Sequence, residues 1–120
     1  MRNKALMAAA LVLCLAAAAG RDARAGDQIE GEVLDLACYI PKRAKGPAHR
    51  KCAETCAEHG MPLGLLTDDD SVYLLYPRHG QEGAFDAVKH LAGRRARLTG
   101  AASERGTLRG FEVHDAAAAE

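Results

Sequence analysis

Leu63-Gly64-Leu65-Leu66-Thr67-Asp68-Asp69-Asp70-Ser71-Val72-Tyr73-Leu74-Leu75-Tyr76 reads as a β-hairpin. Two short apolar runs flank the polar turn Asp68-Asp69-Asp70-Ser71, and the second run carries the β-branched and aromatic residues that favour strands. Downstream, 77–83 is a loop. Residues 84–92 then place Phe85, Val88, Leu91 and Ala92 on one face at helical spacing, and Gly93 stops the helix. A strand follows at 94–101, where Ala96 and Leu98 alternate with Arg95, Arg97 and Thr99. Ser103-Glu104-Arg105-Gly106 is a turn, and 107–114 is a last strand with Leu108, Phe111 and Val113 apolar.

Upstream of the hairpin, 28–38 reads as a strand. Ile29, Val33, Leu34 and Leu36 are its apolar residues, and Gly31 inside it marks a bulge or bend. Residues 40–47 form a loop punctuated by Pro41, Gly46 and Pro47. Residues 48–59 favour helix, with Gly60 as the stop and Pro62 just beyond. The order is strand, inserted helix, strand, strand, helix, strand, strand. Five short strands with a helix between the third and fourth point to a small OB-like barrel, mainly β with two helices, in which a Cys/His-bearing helix is inserted after strand 1. An open α+β sheet built from the same elements is the rival arrangement.

The first 25 residues read as a cleaved signal peptide. Arg2 and Lys4 precede an unbroken apolar run over 5–19, and Ala23-Arg24-Ala25 supplies small residues for cleavage before Gly26. The run is short for a membrane span. The mature chain is then a single domain over 26–115 with a frayed tail at 116–120, periplasmic or secreted, with no membrane span after cleavage. The leader holds four of the 16 basic residues and one of the 16 acidic ones, leaving 12 against 15. A net charge of −3 and five aromatic residues argue against nucleic-acid binding, which takes a positive excess and stacking platforms.

The chemistry concentrates in His49-Arg50-Lys51-Cys52-Ala53-Glu54-Thr55-Cys56, read with Cys38. Positions 49, 52 and 56 share one face of a helix. The mature chain holds three cysteines, an odd number. Outside the cytoplasm one disulfide would therefore leave one thiol over.

These segments carry a resemblance. The run 31–39 (Gly-Glu-Val-Leu-Asp-Leu-Ala-Cys-Tyr), His49-x-x-Cys52-Ala53-x-x-Cys56, Gly60-Met61-Pro62-x-Gly64-Leu65-Leu66-Thr67 and Val72-Tyr73-Leu74-Leu75 are similar to a group of uncharacterised small secreted bacterial proteins with OB-like domains. The similarity covers most of the mature chain, and its specific parts are the Cys-Tyr pair and the His-x-x-Cys-Ala-x-x-Cys run. It implies an extracytoplasmic single domain and carries neither an activity nor a metal with it.

Three readings of the cysteines compete. Cys38, Cys52, Cys56 and His49 supply three thiolates and an imidazole, a set that suits zinc or, through the thiolates, copper(I). Met61 and His59 are weaker candidate ligands; packing at a helix end and the helix dipole explain them as well. Alternatively, a disulfide from Cys38 to Cys52 or Cys56 staples the inserted helix, contributing roughly 3 kcal/mol in the loop-entropy account. The protein is then a protein- or glycan-binding module without metal. Thirdly, Arg50, Lys51 and the basic residues of 42–45 would lower a thiol pKa for thiol–disulfide exchange. The two-residue spacing of such motifs is absent, however.

Elsewhere, Asp68-Asp69-Asp70 lacks the alternating ligands of a calcium loop. His79, His90 and His114 are scattered. No nucleophile elbow or phosphate loop is present. The expectation is a soft-metal-binding domain, for metal handling or a metal-stabilised interaction with an unknown protein partner, and not an enzyme.

Overall fold

The computed structural model describes residues 26–120; the expected signal peptide lies outside the described residues. The chain is mainly β. Strands β1 (Asp27–Asp35), β2 (Leu63–Thr67), β3 (Val72–Pro77), β4 (Arg95–Arg105) and β5 (Leu108–Ala118) close into a barrel in the order β1-β2-β3-β5-β4. Three helices accompany it: α1 (Leu36–Lys42), α2 (Arg50–Glu58) and α3 (Gly83–Lys89), with a single 3₁₀ turn at Pro47–His49 leading into α2. The strand pairs are antiparallel except β3 with β5, which run parallel with Leu74 opposite Gly110. This arrangement is broadly consistent with the OB-like barrel expected, but the helices number three rather than two.

Closure depends on two glycines. Gly31 faces Thr67 of β2 on one side and Ala96 of β4 on the other. A methyl group there would collide with the Leu66 carbonyl oxygen. At Gly100, beside a register shift in the β4–β5 pairing, a methyl would collide with the Glu112 carbonyl oxygen. Both positions let backbones approach more closely than any side chain permits, which bends the strands round.

Alternation along β1 divides the core in two. Val33 joins Leu63, Leu65, Leu75, Leu98, Phe111 and Val113 inside the barrel. Leu34 faces the other way and packs with Leu36 and Leu66. Because both faces of β2 are covered, Leu63-Gly64-Leu65-Leu66 is buried throughout, hence an apolar run without alternation. Burial of each large side chain contributes about 1.5–3 kcal/mol. Helix α2 turns Ala53 and Ala57 into the barrel core, where they meet the cluster containing Val88 and Ala92 at the α3 end.

Two boundaries correct the sequence reading. The first strand stops at Asp35, so Cys38 belongs to a helix and not to a strand. The cause is Asp35 itself: its side chain accepts hydrogen bonds from the backbone N–H groups of Ala37 at 2.9 Å and Cys38 at 3.4 Å, capping α1 at its first turn. At the other end, β4 continues to Arg105 through residues expected to turn from Ser103, and β5 runs past the expected end at His114 to Ala118. The tail expected to fray is instead paired, with Ala116, Ala117 and Ala118 opposite Leu98, Arg97 and Ala96. The small alanines fit beside β4 without requiring further core volume.

Candidate metal centre

Asp35, at the junction of β1 and α1, is fully buried. A carboxylate removed from water needs partners. One oxygen has them in the α1 cap. The other, Oδ2, has none, although it too is buried. It faces the Nε2 of His49 at 3.6 Å, and that nitrogen is likewise buried without a partner.

Around this carboxylate the chain assembles its thiols. Cys38 stands on the first turn of α1, and Cys52 and Cys56 stand one turn apart on α2. The Leu36 N–H at the start of α1 donates to the carbonyl of Pro62, in the segment between α2 and β2, at 3.0 Å, and the Met61 N–H closes the end of α2 on the Cys56 carbonyl at 3.0 Å. One ligand atom from each of Asp35, Cys38, Cys52 and Cys56 lies within 4.8 Å of the others. A zinc–sulfur bond of about 2.3 Å in a tetrahedron sets sulfurs about 3.8 Å apart. Contraction on an ion is therefore a matter of side-chain rotation.

The four groups differ in exposure. Asp35 is buried, Cys38 and Cys56 are half-buried and Cys52 is exposed. All three cysteines are free thiols. Burial alone would push the Asp35 carboxyl up. The Cys56 and Cys38 thiols that face it, with the N–H groups of Ala37 and Cys38, outweigh burial and hold it below the ordinary carboxylate value. The Asp35 carboxylate in turn is the largest cause of raised thiol values. It pushes Cys56 up to about 12 and raises Cys38, and lost hydration adds to both. Both thiols hold their protons at neutral pH, so a cation entering the cluster must displace them, as metal ions do when they bind thiols.

Of the residues singled out from sequence, Cys38, Cys52 and Cys56 come together. His49 lies on the 3₁₀ turn just before α2 and reaches the cluster through Asp35. His59 is the exposed C-cap residue of α2, and Met61 is exposed beyond it; neither belongs to the four-residue group. Asp35 is the member that sequence reasoning passed over. Its signal was an aspartate directly before Leu-Ala-Cys, the position of a helix N-cap.

No family model, curated protein or solved structure matches the chain. Its own chemistry is the guide to function.

Proposed function

We propose that the mature chain, exported by its leader to the periplasm or the exterior, is an OB-like domain that binds one soft transition-metal ion, zinc or copper(I), for metal handling. Cys38, Cys52 and Cys56 are the thiolate ligands and Asp35 is the fourth group, with His49 steering the Asp35 carboxylate from behind. The observation that carries this reading is the fully buried Asp35 carboxylate, one oxygen of which lies within 4.8 Å of the three thiol sulfurs, while its Oδ2 and the facing His49 Nε2 are buried without a hydrogen-bond partner. Buried polar atoms without partners are uncommon in folded proteins, and a bound ion is one of the things that explains them. Thiolates with one carboxylate suit zinc in a closed tetrahedron, and three thiolates suit copper(I).

The exposed Cys52 distinguishes this cluster from an enclosed structural site. A ligand at the surface is open to exchange, which fits acquisition and release of the ion. No helix of the described residues is long and apolar enough to cross a membrane.

The test is elemental analysis with a thiol count on mature protein from its native compartment. Near one zinc or copper per chain, with thiols that react only after chelation, is the expected result. An absence of metal, together with one disulfide and one free thiol, would overturn the reading and leave a disulfide-stapled module.

A further inference from the structure

We infer that the cluster is built for a divalent ion of the zinc class, and that Asp35 is the residue that sets it against copper(I). The inference rests on the metal-binding reading above and names which of the two ions that site is shaped to take.

The donor set is the first support. The group that converges within 4.8 Å is three sulfurs and one carboxylate oxygen, not three sulfurs and an imidazole nitrogen. Zinc takes four ligands in a tetrahedron and accepts oxygen beside sulfur, at about 2.0–2.2 Å against about 2.3 Å for a thiolate. Copper(I) is selected by thiolates and thioethers, whereas carboxylates suit harder ions. Cys38, Cys52 and Cys56 therefore serve either ion, and Asp35 serves the divalent one. His49 Nε2 faces Asp35 Oδ2 at 3.6 Å and stands outside the converging group, placed to hold the carboxylate and not to replace it.

Burial is the second support. Among the described residues Asp35 is the one polar or charged residue that is buried. An ionised carboxylate out of water is costly unless it is bonded. The α1 cap engages Oδ1, and Oδ2 has no hydrogen-bond partner. Capping alone does not call for a buried charge, because asparagine and serine cap as well as aspartate does. A bond to zinc accounts for the carboxylate and its burial together. With copper(I) held by the thiolates, the carboxylate would stay charged and without a metal bond beside them.

Charge balance is the third. The three thiolates and the carboxylate are four anionic donors once the thiols have lost their protons. A divalent ion cancels two of those charges and a monovalent ion one. Excess charge costs most where water is excluded, and Asp35 lies where it is.

Asp35→Asn is the test, because asparagine keeps a cap acceptor and the side-chain size while removing the anionic ligand. Zinc and copper(I) affinities of the reduced mature protein and the variant are measured anaerobically, each ion by competition with a chromophoric chelator. Zinc affinity is expected to fall about a hundredfold or more, beyond the usual effect of losing a group that only orients a ligand, and copper(I) affinity to stay within about threefold. Circular dichroism reports whether the variant folds, and Asp35→Ser, which also caps, repeats the comparison. X-ray absorption of the zinc-loaded wild-type protein is expected to show three sulfur neighbours and one oxygen, without the scattering of an imidazole. Equal losses for both ions in a folded variant, or an unchanged zinc affinity, would overturn the inference while leaving the metal site standing. So would a zinc shell of sulfur and imidazole. No binding of either ion by the wild-type protein would sink the metal-binding reading itself.

Discussion

His49 Nε2 and Asp35 Oδ2 lie 3.6 Å apart, both buried and neither with a hydrogen-bond partner. The separation is slightly too long for a direct hydrogen bond. It becomes one with a small rotation of either side chain. When the Asp35 carboxylate turns one oxygen to an ion, the other can receive the imidazole N–H. In that arrangement His49 fixes the carboxylate's orientation and is not itself a ligand.

The first prediction follows from that pair. His49→Ala is expected to weaken metal affinity about 10–100-fold, the usual effect of losing a group that orients a ligand, while the stoichiometry stays at one. Competition titration against a chromophoric chelator measures both. Loss of stoichiometric binding would make His49 a ligand in its own right. An unchanged affinity would remove it from the site.

Proton competition gives the second. Cys38 and Cys56 are both raised, Cys56 to about 12, so each bound ion displaces at least these two protons. Apparent affinity should rise at least about a hundredfold per pH unit between about pH 6 and 8. The metal-free protein carries the opposite sign at high pH. Unfolding returns Cys56 to its ordinary value of 9.0, so the unfolded chain ionises first and stability falls as pH rises from there towards about 12. Asp35 works at the acid end. Its folded value is below 3.8, so its contribution is present above 3.8 and is lost as pH falls through the folded value. Denaturant titration of reduced, metal-free protein across both ranges checks the signs. A flat profile at both ends would show that the Asp35–thiol contacts are absent in solution.

Much of this architecture was legible before any coordinates. The hairpin was plain because Leu63-Gly64-Leu65-Leu66 and Val72-Tyr73-Leu74-Leu75 are separated by a strongly polar turn. The α3 region was plain because Phe85 and Val88 recur at helical spacing. Helix α1 was hidden for a physical reason. Asp35 falls between the apolar pair Val33-Leu34 and Leu36 in what reads as one continuous strand, and Pro41 argues against a helix of ordinary length. The seven-residue helix nevertheless contains that proline, which has no N–H to give to the Ala37 carbonyl. The same ambiguity hid the fourth member of the cluster. A polar residue closing a strand reads as solvent-facing, whereas Asp35 is fully buried and caps α1. Cys52 and Cys56 were legible as a pair because side chains one helical turn apart meet on one face, whatever the fold around them; Cys38, read on a strand, joins them from α1.

The third prediction concerns the tail. Ala116, Ala117 and Ala118 pair with β4, and the Ala119 N–H donates to the Arg95 carbonyl at 3.1 Å. A chain ending at Asp115 loses these backbone bonds and opens part of the β4–β5 seam. The expected cost is about 1–3 kcal/mol, from bonds worth about 0.5–1.5 kcal/mol each net. Thermal unfolding of the truncated protein measures it. A change within about 0.5 kcal/mol would return these residues to the status of a frayed end.

Metal linkage supplies the last. An ion that binds only the folded chain stabilises it by about 2.7 kcal/mol when its free concentration is a hundred times Kd. For a domain of this size each kcal/mol raises Tm by about 4–8 °C, so the reduced protein should gain about 10–20 °C with metal and lose it on chelation. Cys52→Ser isolates the cause. Because Cys52 is exposed, the metal-free variant should unfold within about 0.5 kcal/mol of the wild type. The metal-induced gain should shrink sharply, because one thiolate of three is gone. A disulfide staple predicts the reverse pattern. The oxidised wild-type protein would then be the stable form, metal would add nothing, and at least one of Cys38, Cys52 and Cys56 could be replaced without effect. Differential scanning calorimetry of reduced, oxidised and metal-loaded samples separates the two accounts in one series.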